Sequence, residues 1–413
     1  LSLTNGATAT TGETRIGERP GGNGTARIEG PGTTWMTGSL AAGMSGQADV
    51  VMLDGAQVMS DLVDIGSGSI DPEDVDGSAS ATVSGEGSRW TSSGIFTVGA
   101  RAPATLEIAQ SAAVNASPEM TVGLFECGSV LLNGAGIGEP ATTLATPGLS
   151  IGAGSIGFLE LIGNSTIDAG FVNIGVDTEA TGEIEVDGAI LGADRIEIGG
   201  IALNNEVPGK GLLTLMSEGT ALVTEIVTVN SGGTVQGDGL VSTEMFIAAA
   251  DSTLTPGLVN ETIEIPCLPD VLGLVQKQAA ARTFGTLVID GDAEVAGTIE
   301  LVAAGNTDAQ FGQLEIRGDA VLTNPVLRVV FVDGYGPRQG DTINFIDVDG
   351  SLDISNPSTT VEGVEPGFVF SITSENGVVV LEALNDAVPT TQTSGIFSDS
   401  FERGSGQRIQ LNL

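Results

Sequence analysis

The sequence predicts an all-β protein, a right-handed parallel β-solenoid (β-helix) with coils of about 23 residues and a C-terminal extended tail. Three observations support this prediction: repeated apolar–glycine pairs, a short alternating strand after each pair, and an unusual composition. Of the 413 residues, 61 are glycine, and 41% are hydrophobic although only 4% are aromatic. A core made of Val, Ile, Leu and Ala favours thin, regular strands over a bulky globular interior.

An apolar residue followed by glycine recurs along the first half of the chain, and four of the seven intervals are 23 or 24 residues. The glycines of these pairs are Gly17, Gly43, Gly66, Gly99, Gly123, Gly152, Gly175 and Gly199. Short alternating strands such as 159–162 and 183–187 follow the pairs. The repeat is too short for a propeller blade, and it lacks leucine-rich or ankyrin consensus residues. It is typical of one solenoid coil, in which glycine occupies the corners that need positive φ.

The predicted organisation has four parts. Residues 1–260 form N-terminal solenoid repeats and 285–385 a C-terminal solenoid portion, giving about 15 coils and a length on the order of 70 Å at ~4.8 Å per coil. Residues 261–284 are an insertion that protrudes from the solenoid or covers one of its faces. A short helix capped by Asp270 is predicted there, although Gly273 weakens it. Residues 386–413 are a linker and a tail strand.

Charge excludes several functions. The chain has 14 Lys and Arg against 53 Asp and Glu, for a net charge of −39, and it has no histidine. Such a surface repels nucleic acid and anionic membranes. The lack of histidine removes Ser-His-Asp triads and His-ligated zinc. Acidic pairs occur by chance among so many carboxylates, and the arginines are scattered, so we expect no enzymatic activity. No run of 18 apolar residues predicts a membrane span.

The two tryptophans lie in a longer repeat. Residues 28–35 match residues 83–90 at an offset of 55, and Trp35 and Trp90 are the only tryptophans in the chain. We favour a packing role in equivalent coils. The alternative is a stacking platform for a sugar ring.

Acidic turns and cysteines offer few further sites. Asp71, Asp74 and Asp76, and likewise Asp347 and Asp349, only partly match a calcium loop, so we expect solvent-facing turns and no cofactor. Weak calcium binding is the alternative, because the large negative charge must be screened in a compact or polymeric state. The two cysteines, Cys127 and Cys267, either form one bridge or stay unpaired.

The repeats resemble a known family. Residues 83–90, followed by Phe96–Gly99 and Leu106–Ile108, are similar to repeats of autotransporter passenger domains and related secreted β-solenoid proteins. Residues 228–257 and 285–384 resemble the coil junction and the C-terminal portion of those passengers. The resemblance covers roughly residues 12–384 and concerns architecture rather than chemistry. No translocator barrel follows, so it implies a processed passenger or a free-standing secreted relative, located outside the cell or on its surface.

The termini suggest self-association. Leu1 and Leu3 open the chain in an alternating strand, and Ile409, Leu411 and Leu413 alternate at its end. An uncapped coil exposes backbone groups that invite another chain. We predict a secreted, non-enzymatic structural protein that builds an extracellular fibre, matrix or sheath as a homopolymer, by head-to-tail strand association. The tail could instead cap its own solenoid. The alternative function is a monomeric adhesin that binds glycans or host surfaces, and the third is a polysaccharide lyase or hydrolase.

Overall fold

A computed structural model describes residues 1–68, 77–134, 138–200, 207–257 and 284–390. The helix content of these residues is one 3-10 turn, Asp308–Gln310; everything else that is regular is strand. No helix in this part of the chain is long and apolar enough to cross a membrane.

The strands, in chain order, are β1 Ser2–Thr4, β2 Thr8–Ile16, β3 Asn23–Glu29, β4 Thr34–Ala42, β5 Gln47–Leu53, β6 Gln57–Ile65, β7 Ser78–Ser84, β8 Arg89–Ser92, β9 Phe96–Val98, β10 Ala104–Ala109, β11 Ala113–Ala116, β12 Glu119–Val122, β13 Gly128–Asn133, β14 Thr142–Ile151, β15 Ile156–Ile162, β16 Ser165–Ile174, β17 Thr181–Asp187, β18 Ile190–Ile198, β19 Lys210–Met216, β20 Thr220–Val229, β21 Gly233–Gly237, β22 Leu240–Ala248, β23 Thr253–Pro256, β24 Thr286–Val295, β25 Thr298–Ala303, β26 Gln313–Ile316, β27 Ala320–Thr323, β28 Val326–Phe331, β29 Thr342–Val348, β30 Leu352–Ser355, β31 Ser358–Glu362, β32 Phe370–Glu375 and β33 Val378–Ala383.

One sheet, which we call sheet A, stacks fourteen strands in the order in which they occur along the chain. The order is β1-β3-β5-β7-β10-β13-β15-β17-β19-β21-β23-β25-β28-β31. Neighbouring strands are parallel throughout, from the β1–β3 pair to the β28–β31 pair. At a spacing of ~4.8 Å, fourteen strands give a rod roughly 60 Å long.

The second sheet, sheet B, takes either one long strand or two short strands from each coil. The long strand β14 pairs with both β11 and β12 of the preceding coil, and β6 pairs with both β8 and β9 of the next. Bulges between β18, β20, β22 and β24 mark the same bend within the long strands. Each coil therefore contributes to two stacked parallel sheets, and the predicted β-solenoid is confirmed.

The predicted coil length of about 23 residues is not confirmed. Thr234 pairs with Thr253, 19 positions on, whereas Gln47 pairs with Ser78, 31 positions on. The parallel stacking continues across residues 258–283, because β23 pairs with β25 and β22 pairs with β24.

Inward-facing side chains form continuous ladders along the rod. One, the tryptophan ladder, comprises Ala9, Trp35, Val58, Trp90, Val114, Leu144, Ile167, Leu191, Ala221, Val241, Ile289, Ile316 and Val348. Another, the corner ladder, comprises Ile16, Ala42, Ile65, Val98, Val122, Ile151, Ile174, Ile198, Val229, Ala248, Val295, Leu322 and Ile354. Nearly all of these side chains are buried, so the core is one column of small and medium apolar residues.

The repeated glycines turn the chain at the corners. All eight glycines of the predicted pairs have positive φ, between 59° and 79°. Each follows a residue of the corner ladder, and a Cβ at any of them would lie within 2.6 Å of a backbone atom of a neighbouring coil. Both the backbone angle and the close approach therefore require glycine, as the repeat predicted.

Candidate self-association site at the ends of the solenoid

The N-terminal end presents unpaired strand edges. Among the described residues, β1 pairs only with β3 and β2 pairs only with β4. Leu1 is 52% exposed, and Leu3 and Ala9 are half-buried where the inner ladders begin. This end therefore combines free backbone groups with the uncovered end of the apolar core.

The free backbone groups of β1 can be assigned. The carbonyl of Leu1 accepts a hydrogen bond from the Arg27 amide at 2.8 Å, so it points toward β3. In a β-strand the N–H and C=O of one residue point to the same edge, and those of the next residue point to the opposite edge. The N–H and C=O of Ser2 therefore point away from β3, toward the open edge.

The C-terminal end is only partly covered, because β30 of sheet B pairs only with β27 among the described strands. The hairpin β32–β33 is antiparallel, and β33 covers the edge of β29 in sheet B. In sheet A, the last strand β31 pairs only with β28 among the described strands. Phe368 stacks on Phe370 with ring centroids 5.7 Å apart, and Phe331 packs edge-on against Phe368.

Of the five predicted interface residues, only Leu1 and Leu3 lie in the part of the chain that the structure describes. The structure places Leu1 and Leu3 at the open N-terminal edge, as expected for a strand that can pair further. Ile409, Leu411 and Leu413 lie outside the described residues, so the predicted tail strand stays a prediction.

Both tryptophans are core residues, and the sugar-stacking alternative is wrong. Trp35 and Trp90 have no exposed surface. The Trp90 indole N–H donates to Ser60 Oγ at 3.0 Å, and its ring meets Phe96 edge-on at 5.1 Å. The Trp35 indole N–H donates to Thr11 Oγ1 at 3.0 Å. Equivalent places in the tryptophan ladder explain why the two segments match in sequence.

Of the acidic turn candidates, only Asp347 and Asp349 lie among the described residues. In the part of the chain that the structure describes, no group of three or more His, Cys, Asp or Glu side chains is placed to hold a metal ion. Asp347 and Asp349 flank Val348 at the end of β29. The carboxylate of Asp349 adds to the raised pKa of the Arg317 guanidinium, which is chiefly due to a hydrogen bond with Glu315. Asp71, Asp74 and Asp76 lie outside the described residues.

Two carboxylates near the C-terminal end have lowered pKa values. Arg328 holds the Glu362 carboxylate with two hydrogen bonds of 2.9 and 3.0 Å, and the pKa of Glu362 falls as a result. Arg328 also contacts Glu300 on the preceding coil. Asp319 accepts hydrogen bonds from the backbone amide and hydroxyl of Ser351, at 2.7 and 2.9 Å, which lower its pKa.

Sequence reasoning missed a set of buried carboxylates on the outer side of sheet A. Glu160, Glu183 and Glu185 are at most 8% exposed, although they lie at outward positions of β15 and β17. Glu160 and Glu185 are direct neighbours in the β15–β17 register. The alternating motif around Ile184 correctly predicted which side chains point outward. It gave no signal that this outward surface is covered.

Cys127, which immediately precedes β13, is disulfide-bonded. Cys267, the other cysteine of the chain, lies outside the described residues. Of the two interpretations that the sequence left open, the unpaired state is therefore wrong for Cys127.

Comparisons with known proteins add no relatives: no protein-family model matches this chain, and no curated protein matches its sequence. The resemblance to autotransporter passengers therefore rests on the repeat residues alone.

Proposed function

We propose that this chain is a secreted, non-enzymatic structural protein that assembles head to tail into an extracellular fibre, matrix or sheath. The observation that carries the proposal is that β1 and β31, the first and last strands of sheet A, each have one strand partner among the described residues. An assembly of this kind takes its affinity from repeated main-chain pairing rather than from one pocket.

The two open edges suit a head-to-tail contact. All fourteen strands of sheet A run in the same direction, so a neighbour placed end to end would continue the parallel stack. Such a contact joins two different surfaces, and repeating it gives a filament rather than a closed dimer. At that end the hairpin β32–β33 covers β29, whereas β31 of sheet A and β30 of sheet B each have one partner among the described strands.

Net charge opposes the assembly. A charge of −39 on each subunit produces mutual repulsion that salt screens over about 8–10 Å at physiological ionic strength. We therefore expect filaments to form more readily as the salt concentration rises.

The adhesin alternative has lost the residues on which it depended. Trp35 and Trp90 were its predicted contacts for sugar, and both are buried. No arrangement of described residues favours the glycan-cleaving alternative.

Electron microscopy of the native 413-residue chain tests the proposal. We expect filaments with an axial repeat near the rod length of roughly 60 Å. A variant truncated after Asn385 tests the predicted tail strand. If this variant gives single rods while the full-length chain forms filaments, the contact between subunits depends on the tail.

A second variant tests the edge of β1. Ser2→Pro removes a backbone N–H that points to the open edge, so it should block assembly while the rod stays folded. Ser2→Thr keeps the N–H and serves as the control. Single rods from the unmodified chain at every salt concentration would contradict the proposal and leave a monomeric binding protein as the working hypothesis.

A further inference from the structure

One side of the rod is almost free of charge. The bend in sheet B divides its outer side into two halves, and the first half presents two outward residues from each coil. From β2 to β22 these residues form two rows, one in register with Thr8 and ending at Leu240, the other in register with Thr10 and ending at Ser242. We call these two rows the neutral face. Its charged residues are one Arg89 and one Asp168, so its net charge is zero in a chain of −39.

The neutral face is open to solvent along its whole length. None of the residues in its two rows is buried. Met59, Ile190 and Leu222 are large apolar side chains on this face, and they are 44%, 40% and 44% exposed. Exposed apolar side chains grouped on one side of a protein indicate a surface that contacts another protein.

The distribution of charge selects a second copy of the chain as the partner. The other half of the same coils presents Asp64, Glu119 and Glu197 outward, and sheet A presents Asp49 and Glu107. A cationic partner would be attracted to those surfaces and would find only one carboxylate on the neutral face. Two rods of −39 approach each other with least repulsion where no row of carboxylates faces another.

The order of residues along the face favours antiparallel rods. A two-fold axis along the strand direction, placed between β11 and β14, sets β8 opposite β16 of the second copy, β6 opposite β18 and β4 opposite β20. Arg89 then lies beside Asp168 of the second copy, in adjacent rows roughly 7 Å apart, and symmetry forms this pair twice. In the same arrangement the larger Met59 faces Gly192, which has no side chain.

The centre and the ends of the face suit the same arrangement. The outward residues nearest the axis are small, including Ala113 and Ala145, so the two sheets can approach to about 10 Å. Beyond β22 the two rows continue with Asp290, Glu315 and Asp347. Antiparallel rods leave these acidic coils beyond the end of the partner, whereas parallel rods would bring the two acidic ends together.

We infer that two copies of this chain pair side by side and antiparallel through the neutral face. Ten strands at ~4.8 Å and a width of about four residues give roughly 600 Å² on each rod, or about 1,200 Å² in total. This area is at the low end for specific interfaces, so the contact should depend on protein concentration. The lateral contact does not require the end-to-end contact proposed above, and it is the kind of contact that a sheath or matrix adds to a single fibre.

Solution X-ray scattering from the full chain tests the pairing. The mass per unit length doubles when rods pair side by side, whereas it does not change when rods join end to end. We expect it to double as the protein concentration rises to about 1 mM at physiological salt. A mass per unit length that stays at the single-rod value over this range would overturn the inference.

Two single substitutions identify the face. Leu222→Glu places a carboxylate opposite Met36 of the second copy, so it should weaken pairing at least tenfold. Val321→Glu is the matched control, because Val321 is 42% exposed on the outer side of sheet B but lies in the second half. Pairing that survives Leu222→Glu, or that Val321→Glu weakens equally, would contradict the assignment of the neutral face.

A charge exchange tests the antiparallel arrangement. Arg89→Asp and Asp168→Arg should each weaken pairing severalfold, because each sets like charges side by side at two places. The double variant exchanges the charges and should restore pairing to the native level. Both residues are exposed, so neither change should affect folding. Failure of the double variant to restore pairing would exclude the antiparallel arrangement.

The scattering result is independent of the proposed function. Filaments that keep the mass per unit length of a single rod would support the end-to-end proposal and overturn the lateral one. Paired rods that never lengthen would support the lateral contact and contradict the end-to-end proposal.

Discussion

The first eight coils and the next three continue the same corner ladder but turn the chain differently. In the first eight, the ladder residue is followed by a glycine with positive φ. In the next three, it is followed by Asn230, Ala249 or Ala296, none of which has positive φ. The hydrogen bond to the previous coil is the same in both regions: Gly152 N–H donates to the Val122 carbonyl at 2.8 Å, and Ala249 N–H donates to the Val229 carbonyl at 2.9 Å.

The regions differ in what closes the corner. In the early coils, the carbonyl of a corner glycine such as Gly123 accepts from the next coil, here from Ala153 N–H at 3.1 Å. In the later coils, the carbonyl of Ala249 accepts from its own turn, from Ser252 N–H at 3.2 Å, and positive φ falls on Asp251. Early corners are therefore held by contacts between coils, and later corners by local turns. A change at an early corner should disturb its neighbours, whereas a change at a later corner should stay local.

Core truncation should affect both regions equally and has the largest expected effect. Trp90 in an early coil and Phe345 in a late coil are both at most 1% exposed. Trp90→Ala and Phe345→Ala should each lower the free energy of unfolding by about 3–5 kcal/mol, because each leaves a cavity in the apolar column. Urea denaturation measures the loss. A loss below about 1 kcal/mol for either variant would show that its coil is not part of the continuous core.

Corner substitution should separate the two regions. A Cβ on Gly152 would lie 2.2 Å from the Thr181 carbonyl oxygen, and the φ of Gly152 is +68°. Gly152→Ala should cost about 3 kcal/mol, the sum of a strained φ and a backbone clash. Hydrogen exchange should show faster opening in the adjacent coils as well.

Two control variants separate the contributions at the corner. Gly6 has a φ of +77° with open space around it, so Gly6→Ala should cost only about 1 kcal/mol, from backbone strain alone. Ala249→Gly in a later corner should cost about 0.5–1 kcal/mol through chain entropy. Equal effects of Gly152→Ala and Gly6→Ala would contradict the close approach between early coils.

Later coils have a different contact between neighbours, the ion pairs of Arg328 with Glu300 and Glu362 on the outside of sheet A. The pKa of Glu362 is lowered in the folded state, so its contribution to stability is present above its unfolded pKa and disappears as the pH falls through its folded pKa. Because both side chains are more than a third exposed, Glu362→Gln should cost at most about 1 kcal/mol at pH 7.

Urea denaturation at a series of pH values measures this contribution. The difference between the unmodified chain and Glu362→Gln should shrink toward zero in acid, and high salt should reduce it. A difference that does not depend on pH would assign the effect to packing instead.

The smallest expected effect is a gain in the free energy of unfolding, and it comes from a substitution in an early coil. Burial raises the pKa of Asp64, which bonds to Thr97 on the next coil. Because the pKa of Asp64 is higher in the folded state than in the unfolded state, ionising Asp64 lowers the free energy of unfolding. This loss appears as the pH rises above the pKa of Asp64 in the unfolded state. Asp64→Asn should therefore raise the free energy of unfolding by up to about 1 kcal/mol at pH 7 and have no effect at low pH. A loss of stability at pH 7 would show that the hydrogen bond to Thr97 outweighs the burial penalty.

The predicted repeat ended at Gly199 although the ladder continues. The repeat is an apolar residue followed by glycine, whereas after Val229 and Ala248 the residue with positive φ lies two places further along, at Gly232 or Asp251. The coil was retained while its sequence signature was lost.

The sequence by itself determined the all-β class, the stacking of short parallel strands and the glycine corners of the first eight coils. These features are local, because alternation sets which side chains point inward and only glycine fits a crowded turn with positive φ. The tertiary structure alone decided that the two tryptophans share one ladder, that Glu160, Glu183 and Glu185 are covered, and which strand edges stay open. Those features depend on which residues far apart in the chain lie side by side, and alternation along a strand says which side faces outward but not whether another segment covers it.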